Sequence, residues 1–416
     1  MGRWKYRGGA GSDDMDDMDD TAKVEKIRRR KGSQKKSIDR KASFALAKKK
    51  WVLEKQRFVA RVVEVHKRYV FISPIGEDGA LKTRDVWLAT VARRYWAAKR
   101  EERNLLAVGD DVLCEPTKSS ETGIASELPT AMILHRDERR HKLARRDPMN
   151  EKLEHVIASN VDQINIVASF LKPQVKWGLI DRYLTLVEEQ RLCALIILNK
   201  KDLLEEEGSP EFKEQCESMI AVYKKLGYEV ITLSAERVKE GEPAHKQLGA
   251  ALSGKTSLFV GHSGVGKSSL VNLFEPEITQ EVEDNPDIFY KGRHTTTYSS
   301  LIKLKGIDGY IVDTPGVRSL LVGERSSIEL TYAFKDMRPY LNKCAYRECR
   351  HLDEEGCAIL QAVDSGLIHS MRYRSYKNLL LGGHLREGRS GLLEGKKGVE
   401  LEEDFIDWQG DEEDGL

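Results

Sequence analysis

A glycine-rich segment in the second half of the chain has the spacing of a phosphate-binding loop. Residues 261–268 are G-H-S-G-V-G-K-S, which matches G-x-x-x-x-G-K-[ST] between a predicted strand and a predicted helix. Glycines let backbone N–H groups turn towards phosphate oxygens, and the start of the following helix adds partial positive charge. We expect Lys267 to reach the β- and γ-phosphates and Ser268 to bind Mg²⁺. The candidate residues of this site are Gly261, His262, Ser263, Gly264, Val265, Gly266, Lys267, Ser268 and Ser269.

Two further segments have residues suited to a magnesium-bound triphosphate. Asp313 begins the sequence D-T-P-G directly after a predicted strand, where its carboxylate can hold Mg²⁺ directly or through water. The N–H of Gly316 is placed to sense the γ-phosphate. Residues 292–297, which are G-R-H-T-T-T, lie between this motif and the phosphate loop, and we expect Thr296 to supply a second protein ligand to Mg²⁺, with Thr295 as the next choice. A polar surface loop is the alternative for this segment.

The sequence N-K-K-D at 199–202 directly follows a predicted buried strand and matches N-K-x-D. The carboxylate of Asp202 can accept hydrogen bonds from N1 and N2 of guanine, and adenine lacks that pair of donors. Asn199 and Lys200 would support the loop and the base. The dipeptide Ser234-Ala235 also ends a strand, and its backbone N–H can bind the guanine O6. These motifs predict GTP and GDP as ligands.

The order of these motifs is rearranged. Ras-like GTPases have the phosphate loop first and the base motifs last, whereas here the base motifs at 199 and 234 precede the phosphate loop at 261. Because a ligand of an open α/β sheet lies beyond the carboxyl ends of the strands, a circular permutation preserves the site while moving the chain termini. It also puts the switch segments, 285–325, directly before the next part of the chain, on which the nucleotide state can act.

Four potential metal ligands are clustered later in the chain. Cys344, Cys349, His351 and Cys357 have the spacing C-x4-C-x-H-x5-C. Three thiolates and one imidazole suit one tetrahedral, structural Zn²⁺, and all four positions would be occupied by protein, which leaves none open for catalysis. We expect the metal to stabilise a small region that lacks a large core.

The elements that position these residues divide the chain into three folded parts. Five strand candidates predict a small all-β barrel of the OB type, at 58–65, 69–72, 86–89, 108–114 and 131–134. A generic barrel without an RNA role is the alternative. Strands alternating with helices over 151–323 predict an α/β P-loop domain with a mainly parallel sheet, and 328–393 is helical. The basic stretch at 135–146 is interpreted either as a solvated linker or as a phosphate-contacting loop.

Charge is segregated along the 416 residues although the formal net charge is only +1. Residues 21–50 hold 13 Lys or Arg, and residues 399–416 hold nine acidic residues and no basic ones. Such blocks are typical of disordered tails, and the N-terminal one is interpreted either as a solubilising tail or as a basic arm that binds RNA phosphates. The expected organisation is a disordered acidic and basic extension (1–52), an OB-fold RNA-binding domain (53–135), a permuted GTPase domain (136–325), a helical zinc-binding domain (326–395) and an acidic disordered tail (396–416).

Apolar runs are too short to predict a membrane span, and the acidic N-terminus is untypical of a transit peptide. The sequence therefore predicts a cytoplasmic protein with no membrane partner, and we expect a monomer.

The combination of motifs resembles the small-ribosomal-subunit-dependent GTPase A family (RsgA, also called YjeQ), over residues 57–385. The segment 180–184, I-D-R-Y-L, also looks like the family's pattern. The resemblance implies an OB-fold domain, a circularly permuted GTPase domain and a C-terminal zinc domain. It further implies binding to the small ribosomal subunit and its rRNA, GTP hydrolysis stimulated by that subunit, and a role in late subunit maturation. The long N-terminal extension and the acidic tail depart from the family pattern.

Hydrolysis of GTP requires charge neutralisation and an oriented water. Ras-like enzymes use a Gln after the D-x-x-G motif, but Val317 follows Gly316 here, so we expect slow intrinsic turnover. Our hypothesis is that ribosome docking orders residues 285–300 and brings His294 towards the attacking water; the alternative is that His294 only shapes the loop.

Two other functions fit the same motifs. One is an RNA-binding protein that uses GTP only as a switch ligand. The other is a GTPase of large-subunit assembly, against which the zinc cluster and the barrel argue.

Overall fold

The computed structural model describes residues 57–66, 68–79, 81–82, 85–92, 104–118, 128–147, 150–274, 299–313 and 326–385. The predicted tails at 1–52 and 396–416 lie outside these residues.

The first folded part is a closed five-stranded barrel. The barrel strands are β1 (Phe58–Val65), β2 (Val70–Pro74), β3 (Trp87–Val91), β4 (Asp111–Thr117) and β5 (Thr130–Arg136). The strand order is β1-β2-β3-β5-β4, and β4 closes on β1. Strand β2 pairs antiparallel with β1 and with β3, and β4 pairs antiparallel with β5, whereas β3 and β5 are parallel.

Apolar side chains fill the barrel because alternate positions of each strand face inward. Val62, Ile72, Val112 and Ile133 are fully buried, and they come from four of the five strands. The prediction of an OB-type barrel is thereby confirmed, with strand ends shifted by a few residues.

The basic stretch after the barrel is part of the folded structure. It leads into a hairpin of β6 (Lys142–Asp147) and β7 (Asn150–Ser159), which pair antiparallel. Arg139 is 5% exposed and forms a two-pronged ion pair with the fully buried Asp110, at 2.7 and 2.8 Å. The Arg136 guanidinium is also buried and donates to the backbone oxygen of Leu105 at 2.8 Å. The stretch 135–146 is interpreted from its sequence either as a solvated linker or as a phosphate-contacting loop. Neither interpretation holds for Arg136 and Arg139, because both side chains are buried and bonded to protein groups.

A second group of strands forms the parallel sheet predicted for the α/β domain. These strands are β8 (Gln163–Ser169), β9 (Cys193–Asn199), β10 (Glu229–Thr232), β11 (Thr256–Val260), β12 (Ser300–Lys303) and β13 (Tyr310–Asp313). Their order is β10-β9-β8-β11-β13-β12, with the first five parallel and β12 antiparallel to β13. Strand β12 also pairs with β1 at Glu64 and Ser300, which joins this sheet to the barrel.

Helices cover both faces of the sheet. They are α1 (Trp177–Gln190), α2 (Lys201–Glu207), α3 (Pro210–Lys225), α4 (Pro243–Leu252) and α5 (Lys267–Asn272). Strand β8 is buried along its full length and divides its side chains between two cores. Ile164 and Ile166 pack with residues of α1 and α3, whereas Val167 packs with residues of α4 and α5. Burial on both faces is what a central parallel strand requires.

The C-terminal part contains α6 (Ser327–Ala333), α7 (Ala358–Asp364) and α8 (Ser370–Leu385). A capping box begins α6, in which Ser326 and Glu329 satisfy each other's backbone N–H groups. The apolar cluster here includes Phe334, Met337 and Tyr376. Of the helices within the described residues, none is long and apolar enough to cross a membrane.

A buried arginine joins this C-terminal part to the sheet domain. Arg372 of α8 is 1% exposed and donates to Asp336 at 2.9 and 3.0 Å, and its Nη1 also donates to Asp181 of α1. Tyr223 of α3 donates to the same Asp181 at 2.8 Å. Asp181 belongs to the I-D-R-Y-L segment, so this segment has a structural role between the two parts.

Candidate nucleotide site and metal centre

The glycine-rich loop lies between β11 and α5, at the carboxyl edge of the sheet. Gly261, Gly264 and Gly266 have φ angles of +143°, +75° and +92°, which residues with a Cβ rarely adopt. A Cβ at Gly261 would also lie 2.1 Å from the backbone oxygen of Val167. The Lys267 ammonium donates to the backbone oxygens of residues 261 and 262, at 2.9 and 2.7 Å. The loop therefore folds around the head of Lys267.

Asn199 joins the predicted base site to this loop. Its Nδ2 donates to the backbone oxygen of Val265 at 2.9 Å, and its Oδ1 accepts from the backbone N–H of Ala235 at 2.9 Å. The side chain is 2% exposed. The N-K-x-D motif, the Ser234-Ala235 pair and the glycine-rich loop thus meet at one side-chain amide, although Asn199 and Val265 are 66 residues apart in sequence.

Asp202 lies in the first turn of α2, beside the turn that follows β10. Its backbone N–H donates to the Ser234 hydroxyl at 2.9 Å, and its Oδ2 lies 3.1 Å from Nε of Arg237. The hydrogen bond with the Ser234 side chain lowers the pKa of Asp202, and the charge of Arg237 lowers it further against the opposing effect of burial. The carboxylate is therefore ionised at neutral pH, as acceptance of two guanine N–H groups requires.

Lys200 precedes α2 with a φ angle of +58°. Its ammonium donates to the backbone oxygen of Lys172, in the loop between β8 and α1. Pro173 of that loop would be 3.7 Å from a Cβ on Gly264, so the loop lies against the phosphate loop. Lys200 is thus anchored next to both nucleotide motifs.

Asp313 ends β13 at the same edge of the sheet as the phosphate loop. Strands β11 and β13 are parallel with Leu258 opposite Val312, so Gly261, which follows β11, and Asp313, the last residue of β13, lie at neighbouring strand ends. This is where a carboxylate that binds Mg²⁺ is expected. The other predicted residues of the switch segments, His294, Thr295, Thr296 and Gly316, lie outside the described residues.

The four predicted metal ligands lie together in the C-terminal part. One ligand atom from each of Cys344, Cys349, His351 and Cys357 lies within 4.8 Å of all the others. The sulfurs of Cys344 and Cys357 are 3.9 Å apart, and Nδ1 of His351 lies 3.5 and 3.4 Å from them. Tetrahedral zinc with bonds of about 2.3 Å places its sulfur ligands roughly 3.8 Å apart. Burial raises the pKa of Cys349 to about 12, so its thiolate form requires a compensating cation. The geometry fits one tetrahedral ion.

Glu354 holds the metal-site loop, and sequence patterns did not identify it. Its carboxylate accepts from the backbone N–H groups of Arg350, Leu352 and Asp353, at 2.6, 2.8 and 3.3 Å. Burial raises the pKa of Glu354, but these hydrogen bonds outweigh it and lower the pKa to about 2. Because these N–H groups flank His351, Glu354 fixes the backbone that presents the imidazole.

The chain is similar to known proteins over most of its described length. A sequence profile of the RsgA GTPase family matches residues 136–322. The protein named small ribosomal subunit biogenesis GTPase RsgA from Chlorobaculum parvum is 37% identical over 287 residues, which cover 68% of this chain and 87% of that one. The protein of the same name from Mannheimia succiniciproducens is 40% identical over 225 residues, which cover 54% of this chain and 61% of that one.

Two crystal structures have a similar fold. YjeQ from Thermotoga maritima superposes with a TM-score of 0.58 and 27% identity, over 80% of this chain and 99% of that one. YloQ, described as a circularly permuted GTPase, superposes with a TM-score of 0.58 and 25% identity, over 80% of this chain and 97% of that one. The description of YloQ as circularly permuted agrees with the rearranged order of the nucleotide motifs in this chain.

Proposed function

Since the chain belongs to the RsgA family of small ribosomal subunit biogenesis GTPases, we propose that it binds the small ribosomal subunit and couples GTP binding and hydrolysis to late subunit maturation. The observation that carries this proposal is the meeting of base and phosphate motifs at Asn199, although the motifs follow the permuted order. The relatives are named as GTPases, and a GTPase requires one site that holds both the guanine base and the phosphates.

Each nucleotide motif has a proposed role. Asp202 accepts from N1 and N2 of guanine, and the Ala235 N–H binds O6. Asn199 and Lys200 hold the base loop, and Ser234 holds Asp202 through its backbone N–H. Residues 261–269 surround the phosphates, and Lys267 moves its hydrogen bonds from the loop carbonyls to the β- and γ-phosphates.

Hydrolysis converts GTP and water to GDP and phosphate. Mg²⁺, when bound with the nucleotide, supplies neutralisation of the phosphate charge, and we propose that Ser268 and Thr296 hold it with support from Asp313. The Gly316 N–H contacts the γ-phosphate, and His294 orients the attacking water once the subunit has docked. Full subunit-stimulated activity of a His294→Ala variant would rule out this role of His294.

The metal centre is proposed to hold one structural zinc ion through Cys344, Cys349, His351 and Cys357. Its donor set and distances support zinc, and the four protein ligands leave no coordination position open for a reacting water.

We further propose a role for each part of the chain. The barrel, 53–135, contacts rRNA, residues 136–325 act as the GTPase domain and residues 326–395 act as the zinc-binding domain. We also propose that the protein works as a cytoplasmic monomer.

Cosedimentation with purified ribosomal subunits tests the proposal. With a non-hydrolysable GTP analogue we expect the full chain to pellet with small subunits, and with GDP we expect it to remain in the supernatant. Pelleting only with large subunits would overturn the proposal in favour of large-subunit assembly.

Single-turnover hydrolysis separates the remaining alternative. We expect small subunits to accelerate GTP hydrolysis, with large subunits as the control. Binding to the small subunit without any acceleration would favour an RNA-binding protein in which GTP is only a switch ligand.

A further inference from the structure

A tight turn after β10 places an arginine against the proposed guanine-binding carboxylate. The backbone N–H groups of Arg237 and Val238 both donate to the backbone oxygen of Ser234, at 2.9 and 3.0 Å. This turn directs the Arg237 guanidinium towards α2, where Nε lies 3.1 Å from Oδ2 of Asp202 and Nη2 donates to Glu206 at 2.7 Å. The two carboxylates are four residues apart and so lie on one face of the helix.

We propose that Arg237 is a positioning residue for guanine specificity, which holds the Asp202 carboxylate in the orientation that accepts the two N–H donors of the base. This inference rests on the proposed assignment of Asp202 to guanine. No sequence motif pointed to Arg237, because it lies beyond the Ser234-Ala235 pair.

The carboxylate of Asp202 can contact the Arg237 guanidinium and the guanine base at the same time. A carboxylate has about four lone-pair sites, so the ion pair of Oδ2 with Nε of Arg237 at 3.1 Å leaves acceptor positions for the base. The backbone of Asp202 is fixed separately, through its N–H donated to Ser234. Arg237 therefore acts on the rotation of the Asp202 carboxylate, which the Ser234 side chain also restrains.

Glu206 makes this restraint directional. It accepts a hydrogen bond from Nη2 of the guanidinium at 2.7 Å while Nε forms the ion pair with Asp202, so the planar group contacts two carboxylates of α2. Arg237 is 58% exposed, and ion pairs at such exposure add little to the stability of a fold. We therefore expect removal of the Arg237 side chain to lower the affinity for guanine nucleotides and to leave the unfolding temperature nearly unchanged.

The test compares full-length variants by equilibrium binding of GDP and of inosine diphosphate, whose base lacks the 2-amino group. For Arg237→Ala we expect the Kd for GDP to rise about 5- to 20-fold, the effect of weakening a charge-assisted hydrogen bond. The Kd for inosine diphosphate should rise less, because that base presents only one of the two donors, so the GDP preference should fall. Arg237→Lys should restore part of the preference, and Glu206→Gln should give a smaller loss.

Arg140→Ala is the matched control. Arg140 is 59% exposed and lies 3.7 Å from Asp162, which precedes β8 at the opposite edge of the sheet from the nucleotide motifs. We expect this variant to bind both nucleotides as the wild type does.

Three results would overturn the inference. One is an unchanged Kd for GDP in Arg237→Ala; a second is tighter binding, which would mean that Arg237 competes with the base. The third is an equal loss for GDP and inosine diphosphate, which would mean a general effect on the site. A wild-type protein that does not prefer GDP to ADP would instead refute the proposed function, so the two failures are distinguishable.

Discussion

The side-chain amide of Asn199 donates a hydrogen bond of 2.9 Å to the backbone oxygen of Val265, which ties the base motif directly to the phosphate loop. The same amide accepts from the Ala235 N–H, so the loop that follows β10 belongs to the same unit. The base motifs precede the phosphate loop in this chain, and the three segments nevertheless meet at one side chain. The site is therefore defined by strand ends and side chains, whatever the order of synthesis.

Replacing Asn199 by Ala should weaken nucleotide binding more than it weakens the fold. Both backbone partners are buried and would lose their hydrogen bonds, at about 1–3 kcal/mol for each unsatisfied group. We expect the Kd for GDP to rise at least about 30-fold in a fluorescent-nucleotide titration.

Asn160→Ala is the control for that substitution, because Asn160 is also buried and bonds two backbone groups, Gly109 and Arg140, both at 2.9 Å. It should lower the unfolding temperature and leave the Kd for GDP unchanged. Equal losses of affinity in both variants would mean that Asn199 has no special connection to the site.

Gly266→Ala should abolish nucleotide binding. The residue has a φ angle of +92°, and a Cβ there would lie 2.2 Å from Nδ2 of Asn199, so the loop must move or the Asn199 contact must break. Gly254→Ala provides the comparison, because its φ angle is also positive, at +71°, but its surroundings are open. Isothermal titration with GDP should show no binding for the first variant and normal binding for the second, which loses only about 1 kcal/mol of stability. Normal binding by Gly266→Ala would contradict the geometry.

The sequence predicted the nucleotide and metal sites because their residue types and spacings specify the chemistry. The strands at 163–168 and 195–198 were also predicted, since buried parallel strands are continuous apolar runs. The short helix α2 was not, because seven residues are too few to display a helical period.

Contacts between distant residues were beyond the reach of the patterns. Arg139 was counted in a basic stretch, but its burial depends on Asp110, which is 29 residues away. Asp181 was noticed within a family-like segment, but its partner Arg372 is 191 residues away. Whether a charged side chain faces solvent or pairs inside depends on the assembled fold, and one sequence gives no signal for it.

Arg139 and Arg140 are adjacent in sequence, but we expect their replacement by Ala to affect the free energy of unfolding very differently. Removing Arg139 leaves the fully buried carboxylate of Asp110 without its ion pair, a loss of about 3–5 kcal/mol. Arg140 is 59% exposed, and its ion pair contributes at most about 1 kcal/mol. In urea unfolding we expect Arg139→Ala to lower the free energy of unfolding by several kcal/mol and Arg140→Ala to leave it nearly unchanged. Similar stabilities of the two variants would refute the structural role of Arg139.

Metal analysis should find one zinc ion for each chain. Cys349→Ser should lose it, because replacing a thiolate by a hydroxyl removes one of the four proposed ligands and weakens a site whose binding energy would stabilise the local fold. Cys193→Ser, at an exposed position on β9, is the control and should retain the full zinc content. Zinc retained by the Cys349 variant would contradict the assignment of the four ligands.

Asp202→Asn should exchange guanine for xanthine as the preferred base. In the proposed site the carboxylate accepts two guanine N–H groups, whereas an amide supplies one acceptor and one donor, and the donor would face the guanine 2-amino group. Hydrogen bonds to a charged group contribute about 1.5–3 kcal/mol each, so the Kd for GDP should rise roughly 100-fold. Xanthine carries a carbonyl in place of that amino group and can accept from the amide, so xanthosine diphosphate should bind the variant more tightly than it binds the wild type. Competition of each diphosphate against a fluorescent xanthine or guanine nucleotide measures both changes. An equal loss of affinity for the two bases would show that Asp202 supports the loop without contacting the base.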